Sequence, residues 1–194
     1  MSGRHRSSLP TGIPLLDRWN LDDPPLASAD AAVLLVLRDS DAPKEVLLIE
    51  RTERPEDPAT GQVALPGGRV DPGDRSLWHT ALRETQEEVG LTEADFSVPP
   101  RFVTTQLATV FSLRVAVFAT ALPPRGKAPE IHSQEEVAAV FWLPRAALDS
   151  TNKVTRETKF GRREVEANLH QGHILWGFTR RVLRMFFGLP VEPL

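Results

Sequence analysis

The chain has 194 residues, which fits a single folded domain with short appendages. Its 23 lysine and arginine residues against 26 aspartate and glutamate residues give a net charge of −3, which argues against binding of nucleic acid or an anionic membrane by bulk charge. Cysteine is absent, which excludes disulfides, thiolate zinc sites and cysteine nucleophiles and suits a cytoplasmic location. No apolar run reaches the roughly 18 residues that a membrane span requires.

Residues 1–28 are polar and interrupted by proline, with apolar side chains at Ile13, Leu15, Leu16 and Trp19, so we expect a loosely ordered N-terminal arm with one short docking segment. Behind the arm, the apolar runs Ala31–Leu37 and Glu45–Ile49 predict two strands joined as a hairpin. The charged, proline-containing stretch 51–60 predicts a surface loop. Gln62–Leu65 then predicts a short extended piece that runs into a Pro-Gly-Gly turn.

The clearest helix is predicted over Ser76–Val89, where apolar side chains recur near a period of 3.6 residues. Asp74 is the expected N-cap of this helix. Gly90 stands where a left-handed residue commonly ends a helix. The pattern therefore defines both ends of one amphipathic helix in the middle of the chain.

The second half of the chain predicts further strands, a hairpin and a second helix. In chain order these are strands at Phe102–Leu107, Phe111–Thr120 and Ala138–Leu143, a short helix at Arg145–Leu148 opened by Pro144, a hairpin within Lys159–Ala167 around Gly161, and an amphipathic helix at Ile174–Phe187. With the first half they predict an α+β fold, in which helices pack on a mixed β-sheet, in one domain over residues 29–194.

Three carboxylates stand close together on the central helix. Glu84, Glu87 and Glu88 occupy positions i, i+3 and i+4, which places them on one helix face. Arg83 can pair with Glu87 at i+4, but two carboxylates are left over, and like charges at this spacing destabilise a helix. A hard divalent cation such as Mg²⁺ or Mn²⁺ would neutralise them, because it prefers oxygen ligands. A solvated acidic face is the alternative interpretation.

Two glycine-containing turns precede this helix, at Pro66–Gly68 and Asp71–Gly73. Glycine lets the backbone approach a ligand closely. A helix N-terminus attracts phosphate, and carboxylates hold metal that bridges to phosphate. The combination of turn, helix start and acidic face therefore favours a pyrophosphate-containing substrate.

The stretch Leu65–Leu91 resembles the Nudix box, whose pattern is G-x5-E-x7-R-E-U-x-E-E-x-G-U, with U a bulky apolar residue. The positions that match are Gly68, Arg83, Glu84, Glu87, Glu88, Gly90 and Leu91. Asp74 replaces the first glutamate, and eight residues rather than seven separate it from Arg83. The resemblance implies a Nudix fold, in which the mixed sheet is sandwiched between helices (α/β/α).

The two departures resemble the coenzyme A pyrophosphatase branch of the Nudix superfamily, in which aspartates precede an eight-residue gap and the sequence ALRE. The segments LLIERT and GQVALPGG are similar to that branch upstream of the box, and EEVAAVFWLP and WGFT are similar to it downstream. Leu65 replaces the usual phenylalanine. Arg54 is the one candidate for a second arginine that the branch has in the loop after Arg51.

What the resemblance implies for metal binding is that Glu84 and Glu88, with Glu87, hold Mg²⁺ or Mn²⁺, and that the Gly67 carbonyl is a further ligand. A bound metal lowers the pKa of a water molecule and offsets the charge of the diphosphate. Arg83 is expected to orient the carboxylates by ion pairing with Asp74 or Glu87.

The expected general base is Glu136, with Glu135 beside it, although a surface charge is an equal interpretation of either residue. Arg51 is the candidate for a phosphate contact, because a guanidinium binds phosphate in a bidentate way. The predicted catalytic residues are thus Glu84, Glu87, Arg83 and Glu136, and the predicted substrate-binding residues are Arg51, Gly67 and Gly68.

The resemblance implies hydrolysis of a pyrophosphate bond in a small nucleoside diphosphate derivative, above all coenzyme A or an acyl-coenzyme A. ADP-ribose, a nucleotide sugar and a dinucleotide are the alternative substrates. An alternative of another class is a non-catalytic nucleotide-binding sensor, but such a domain has no need of Glu84, Glu87 and Glu88. Dimers are common in this family, so a homodimer is compatible with the sequence.

Other chemically capable side chains receive structural interpretations. His79 has no second histidine near it at ligand spacing and is expected to be non-catalytic. His170 and His173 are expected to lie in a polar turn rather than to share a metal. Phe178 and Trp142 are expected to serve packing rather than adenine stacking.

Overall fold

The computed structural model describes residues 13–38, 45–53, 61–109, 112–158 and 161–191. Within them a seven-stranded mixed sheet contains β1 Ala31–Arg38, β2 Glu45–Arg51, β3 Val63–Ala64, β4 Gly67–Arg69, β5 Arg101–Ala108, β6 Leu113–Leu122 and β7 Val137–Pro144. A three-stranded antiparallel sheet contains β8 Asn152–Thr158, β9 Gly161–His170 and β10 His173–Trp176. The two α-helices are α1 Leu77–Val89 and α2 Gly177–Phe186, and short 3₁₀ turns lie at Leu16–Arg18, Leu26–Ser28, Glu93–Asp95 and Arg145–Leu148.

The large sheet opens at one edge of β1. Along its other edge, β1 pairs with β6 in parallel from Ala31 to Arg38. At the open edge it pairs with β2 only at Leu37 and Arg38, and with β4 only over residues 31–33. β1 and β2 therefore separate beyond Leu37, and the segment that contains β3 and β4 lies between them, with β3 paired to β2 and β4 paired to β1. This arrangement brings the Pro-Gly-Gly turn and the end of β2 to the same cavity.

Both faces of the sheet are buried, because successive side chains of β1 point to opposite sides. Leu34 and Val36 pack with the apolar side chains of α1, and Leu35 and Leu37 pack with those of α2. The two helices thus cover opposite faces. The α+β class and the mixed sheet sandwiched between helices are confirmed.

Most of the predicted elements are confirmed within one or two residues, including the β1–β2 hairpin and the left-handed Gly90, at a φ of 72°. The N-cap prediction is wrong: Ser76, not Asp74, accepts the hydrogen bond from the His79 N–H. The predicted start of the last helix is also wrong, because residues 174–176 pair with β9 as a strand. The hairpin predicted within 159–167 is longer and includes β8, which begins at Asn152.

The segment between residue 13 and β1 packs on the sheet. Ile13 and Leu16 are buried in the α2-side core. The Trp19 ring stacks on Phe186 with 5.9 Å between ring centroids. Asn20 forms an isolated bridge with Phe102. None of the described helices combines the length and the apolar character that a bilayer crossing demands.

Candidate active site

The helix α1 is capped by Ser76 at its start and by the left-handed Gly90 at its end, and its acidic face is directed toward a cavity beside β4. Leu77, Ala81 and Val89 are fully buried against the sheet. Glu84 and Glu88 are one turn apart and lie beside the β4 backbone, with which α1 is in extensive contact. As a result, two carboxylates of α1 face a cavity that β4 and the end of β2 also line.

This cavity has a volume of about 510 Å³. Its polar lining consists of the Gly67–Gly68 backbone and of Arg51, Gln62, Arg69, Glu84, Glu88, Glu136 and Thr179. Its apolar lining consists of Ala31, Val33, Val63, Ala64, Leu65, Ala108, Leu113, Val115 and Phe178. A charged end next to an apolar end is the usual form of a small-molecule site.

Glu88 is the most deeply buried carboxylate of the site, with 1% of its surface exposed. One of its oxygens accepts a hydrogen bond from the Gly67 N–H at 2.9 Å. The pKa of Glu88 is raised to about 8: burial is the largest cause and the charges of Glu84 and Glu136 add to it, whereas the Gly67 N–H and Arg51 lower the pKa. The ionised form of Glu88 therefore lacks sufficient compensating charge within the protein.

Glu84 lies partly buried against the backbone of the Pro-Gly-Gly turn. Burial raises its pKa, Arg83 lowers it, and the charges of Glu87 and Glu136 raise it. A Cβ atom built on Gly68 would lie 2.4–2.6 Å from the Glu84 carboxyl group. The absence of a side chain at Gly68 is therefore what gives this carboxylate its place.

Arg83 ties the acidic helix to the turn in front of it. Its guanidinium donates to both carboxyl oxygens of Asp74, at 3.0 and 3.1 Å, and to Glu87 at 3.1 Å. It also lies 3.0 Å from a Glu84 oxygen and donates to the Arg69 carbonyl at 3.1 Å. Both ion-pair partners expected from the sequence, Asp74 and Glu87, are thus present, and Glu84 is a third.

Asp74, which does not cap the helix, is the buried anchor of this arrangement, with 6% of its surface exposed. It accepts hydrogen bonds from Arg83, from the Thr80 hydroxyl at 2.8 Å and from the Asp71 N–H at 2.8 Å. Burial alone would raise its pKa, but these hydrogen bonds hold the pKa well below the ordinary value of 3.8. His79 also bonds to Asp74, at 3.0 Å.

The structure separates the predicted site residues into two groups. Arg51, Gly67, Gly68, Glu84, Glu88 and Glu136 line one cavity. Glu87 does not line it: its side chain is 56% exposed and bonds to Arg83. The Gly67 N–H donates a hydrogen bond to Glu88, and the Gly67 carbonyl remains the predicted metal ligand. Arg54 lies outside the described residues.

The donor set fits a divalent cation. Among the described residues, no three histidine, aspartate or glutamate side chains already form a ready metal-binding group. The charge of Glu84, however, raises the pKa of Glu88, both side chains face a solvent-open cavity, and the Gly67–Gly68 backbone lies against both. Oxygen ligands with uncompensated negative charge are what Mg²⁺ and Mn²⁺ select.

Other predicted roles come out differently. His170 and His173 pair at the adjoining ends of β9 and β10, and His173 Nδ1 hydrogen-bonds to the Glu50 carboxylate at 2.6 Å while its ring stacks on Phe141 with 3.9 Å between centroids. Phe178 is a lining residue of the cavity rather than core packing alone. Its place in the WGFT segment was the one sequence signal that could have indicated this. Gln62 and Arg69 also line the cavity; they lie within the segment GQVALPGG and the stretch Leu65–Leu91, although no role was predicted for either residue.

A NUDIX domain family model matches residues 28–166. The chain is 35% identical over 161 residues to the human mitochondrial coenzyme A diphosphatase NUDT8, covering 78% of this chain and 65% of that protein. It is 30% identical over 162 residues to the probable nudix hydrolase C6G9.05 of Schizosaccharomyces pombe, covering 80% of this chain and 54% of that protein. These two matches span less than two thirds of each relative's length.

A bacterial relative matches over most of its length. The chain is 33% identical over 171 residues to the uncharacterized Nudix hydrolase NudL of Photorhabdus laumondii, covering 84% of this chain and 88% of that protein. The fold is also similar to a NUDIX hydrolase structure from Alicyclobacillus acidocaldarius, with a TM-score of 0.55 at 20% identity over 85% of this chain and 98% of that one. Family model, relatives and fold agree: the chain belongs to the Nudix family.

Proposed function

We propose that this protein hydrolyses the pyrophosphate bond of a nucleoside diphosphate derivative with Mg²⁺ or Mn²⁺. The observation that carries the proposal is the placement of Glu84 and Glu88, two carboxylates with raised pKa, against the Gly67–Gly68 backbone in a cavity that also contains Arg51. Negative charge without sufficient compensation favours a cation, and a cation next to an arginine favours a phosphate anion.

In this proposal Glu84 and Glu88 hold the metal. When bound, the metal lowers the pKa of a coordinated water and offsets charge on the diphosphate. The remaining steps belong to protein groups. Arg83 keeps Glu84 oriented through its contacts with Asp74, and Arg51 binds a phosphate oxygen.

Glu136 is the proposed general base. It lines the same cavity, and its charge raises the pKa of both Glu84 and Glu88, which supports a role beside the two proposed metal ligands. A base in this position removes a proton from the attacking water, while the departing phosphate is stabilised by positive charge. Glu87, which is exposed and bonded to Arg83, supports Arg83 rather than the metal.

We propose coenzyme A or an acyl-coenzyme A as the substrate. The human relative is named a coenzyme A diphosphatase. The apolar part of the cavity, where Phe178, Leu113 and Val115 meet the small side chains of Ala31 and Ala108, forms its own apolar cluster. Such a surface suits an extended, weakly polar chain attached to a diphosphate.

A substrate panel tests the proposal. Purified protein with Mg²⁺ is given coenzyme A, a short and a long acyl-coenzyme A, ADP-ribose, a nucleotide sugar and a dinucleotide, and both products of each are quantified. We expect turnover of coenzyme A or its thioesters, lost with a chelator and restored by excess Mg²⁺. Faster turnover of ADP-ribose or a dinucleotide would show that coenzyme A is not the preferred substrate. Binding without product formation would favour a nucleotide sensor.

A further inference from the structure

The connection between β6 and β7 carries Glu136 to the rim of the cavity, and its first part is fastened to the end of α1. The C-terminal carbonyl groups of that helix accept three hydrogen bonds: from the Lys127 Nζ to Gly90 at 2.6 Å, from the Glu130 N–H to Val89 at 3.1 Å, and from the His132 N–H to Glu88 at 3.0 Å. These hydrogen bonds therefore hold the first part of the connection against the helix that carries the candidate metal ligands.

The last part of the connection is fastened to a different element, the end of β2. The Thr52 N–H donates to the Glu136 carbonyl at 2.9 Å, and the Thr52 hydroxyl donates to the Gln134 carbonyl at 3.1 Å. Thr52 directly follows Arg51, the candidate phosphate ligand. One residue thus links the strand that presents the arginine to the segment that presents the proposed base.

The regular β-ladder alone does not fix this segment. The pairing of β2 with β7 changes register between Glu50 and Arg51, which pair with Ala139 and Val137 respectively. Irregularities of this kind redirect the side chains beside them. The direction of Glu136, immediately before this irregular pair, therefore depends on additional contacts, and the Thr52 hydroxyl supplies one.

We infer that Thr52 is a positioning residue. Its hydroxyl holds the segment from Gln134 to Glu136 so that the Glu136 carboxylate faces the part of the cavity that Glu84 and Glu88 line. The inference rests on the proposed function, in which Glu136 is the general base. Thr52 itself makes no contact with the reacting atoms. Its contribution passes through Glu136 and disappears when Glu136 can no longer act.

The test compares Thr52→Val with Thr52→Ser. Valine keeps the branched shape and the backbone bond but loses the hydroxyl, so we expect kcat to fall about tenfold while KM changes less than about twofold, because a small misplacement of a catalytic group slows chemistry more than binding. Serine restores the donor and is expected to keep kcat within about twofold. Thr52→Ala, which also lacks the hydroxyl, must reproduce the loss.

The matched control is Thr158→Val, which removes a hydroxyl that donates to the Gly161 carbonyl in the β8–β9 hairpin, outside the cavity lining. This variant should keep wild-type kcat. In a Glu136→Gln background, Thr52→Val should add less than about a twofold loss, since residues that act as one unit are not additive. An undiminished tenfold loss in that background, or unchanged kcat in Thr52→Val, overturns the inference. Absence of wild-type turnover would instead contradict the proposed function and the inference with it.

Discussion

Two adjacent glycines before α1 have different physical requirements. Gly67 has a φ of 143°, and a Cβ atom there would lie 2.3 Å from the Ala32 carbonyl oxygen, so the backbone itself needs glycine. The φ of Gly68 is not in the left-handed region, and its constraint is the Glu84 carboxyl group, 2.4–2.6 Å from a built Cβ. Gly68 therefore protects the position of a side chain rather than a backbone conformation.

The first prediction is that Gly68→Ala inactivates the protein without unfolding it. The added methyl group displaces the flexible end of Glu84, which costs little stability but moves a proposed metal ligand. We expect kcat/KM to fall by at least about a hundredfold with Tm nearly unchanged, measured by steady-state kinetics and thermal unfolding. Gly73→Ala is the control, because a Cβ atom there meets only Asp71 at an ordinary 3.5 Å. Equal activity of the two variants would argue against the close approach.

The second prediction concerns Glu84 and Glu88 themselves. Replacing either with glutamine removes a proposed metal ligand and should lower kcat by about a thousandfold or more, with weaker Mn²⁺ binding measured by calorimetry. Glu93→Gln, a change at an exposed glutamate outside the cavity lining, should leave both quantities unchanged. Normal turnover in Glu84→Gln and Glu88→Gln at saturating Mg²⁺ would refute the metal assignment.

At the scale of elements, the sequence pattern predicts α1 well because its apolar period and its glycine end are local signals. The N-cap is a different case. Asp74 and Ser76 are both suitable capping residues. Ser76 caps the helix, because the Asp74 carboxylate instead accepts hydrogen bonds from Arg83, nine residues after Asp74. Residues 174–176 are apolar enough for either state, and pairing with β9 rather than propensity makes them a strand.

The third prediction is an acid sensitivity of the turn–helix unit. Because the folded-state pKa of Asp74 lies below its ordinary value of 3.8, the stabilisation from its bonds is fully present above about pH 4 and is lost as pH falls below that value. Asp74→Asn should therefore cost about 2 kcal/mol of unfolding free energy at pH 7 and show a shallower loss of stability between pH 5 and 3 than the wild type. Denaturant unfolding across this range provides the measurement. Parallel pH profiles of the two proteins would contradict the role of the ionised Asp74.

At the scale of the whole molecule, what the sequence could not reveal is long-range contact. The glutamates and glycines of the site are close in sequence, so their spacing predicts their proximity. The contact of Thr52 with Gln134 spans 82 positions, and Phe178 reaches the cavity from the far end of the chain. The spacing of residues along the chain predicts neither contact, because each joins elements that are far apart in sequence.

The arm before β1 shows the same dependence on tertiary contact. The sequence predicts a loosely ordered arm with one short docking segment over residues 1–28, and Leu16, which has no exposed surface, lies in the core between α2 and the sheet. The described part of this arm, from residue 13 onward, therefore contributes to the core that supports α2, and α2 in turn brings Phe178 to the cavity. We accordingly propose that the folded unit includes residues 13–28.

The fourth prediction measures how much this segment contributes. Leu16→Ala removes fully buried methyl groups and should lower the free energy of unfolding by about 3 kcal/mol, because the surrounding core cannot close the cavity completely. Leu21→Ala is the matched control: that leucine is 40% exposed, and its loss should cost less than about 0.5 kcal/mol. Chemical denaturation of both variants, followed by tryptophan fluorescence, gives the two values. A negligible effect of Leu16→Ala would indicate that residues 13–28 are a loosely ordered arm. The expected loss of unfolding free energy would instead show that these residues belong to the cooperative unit that positions α2 beside the site.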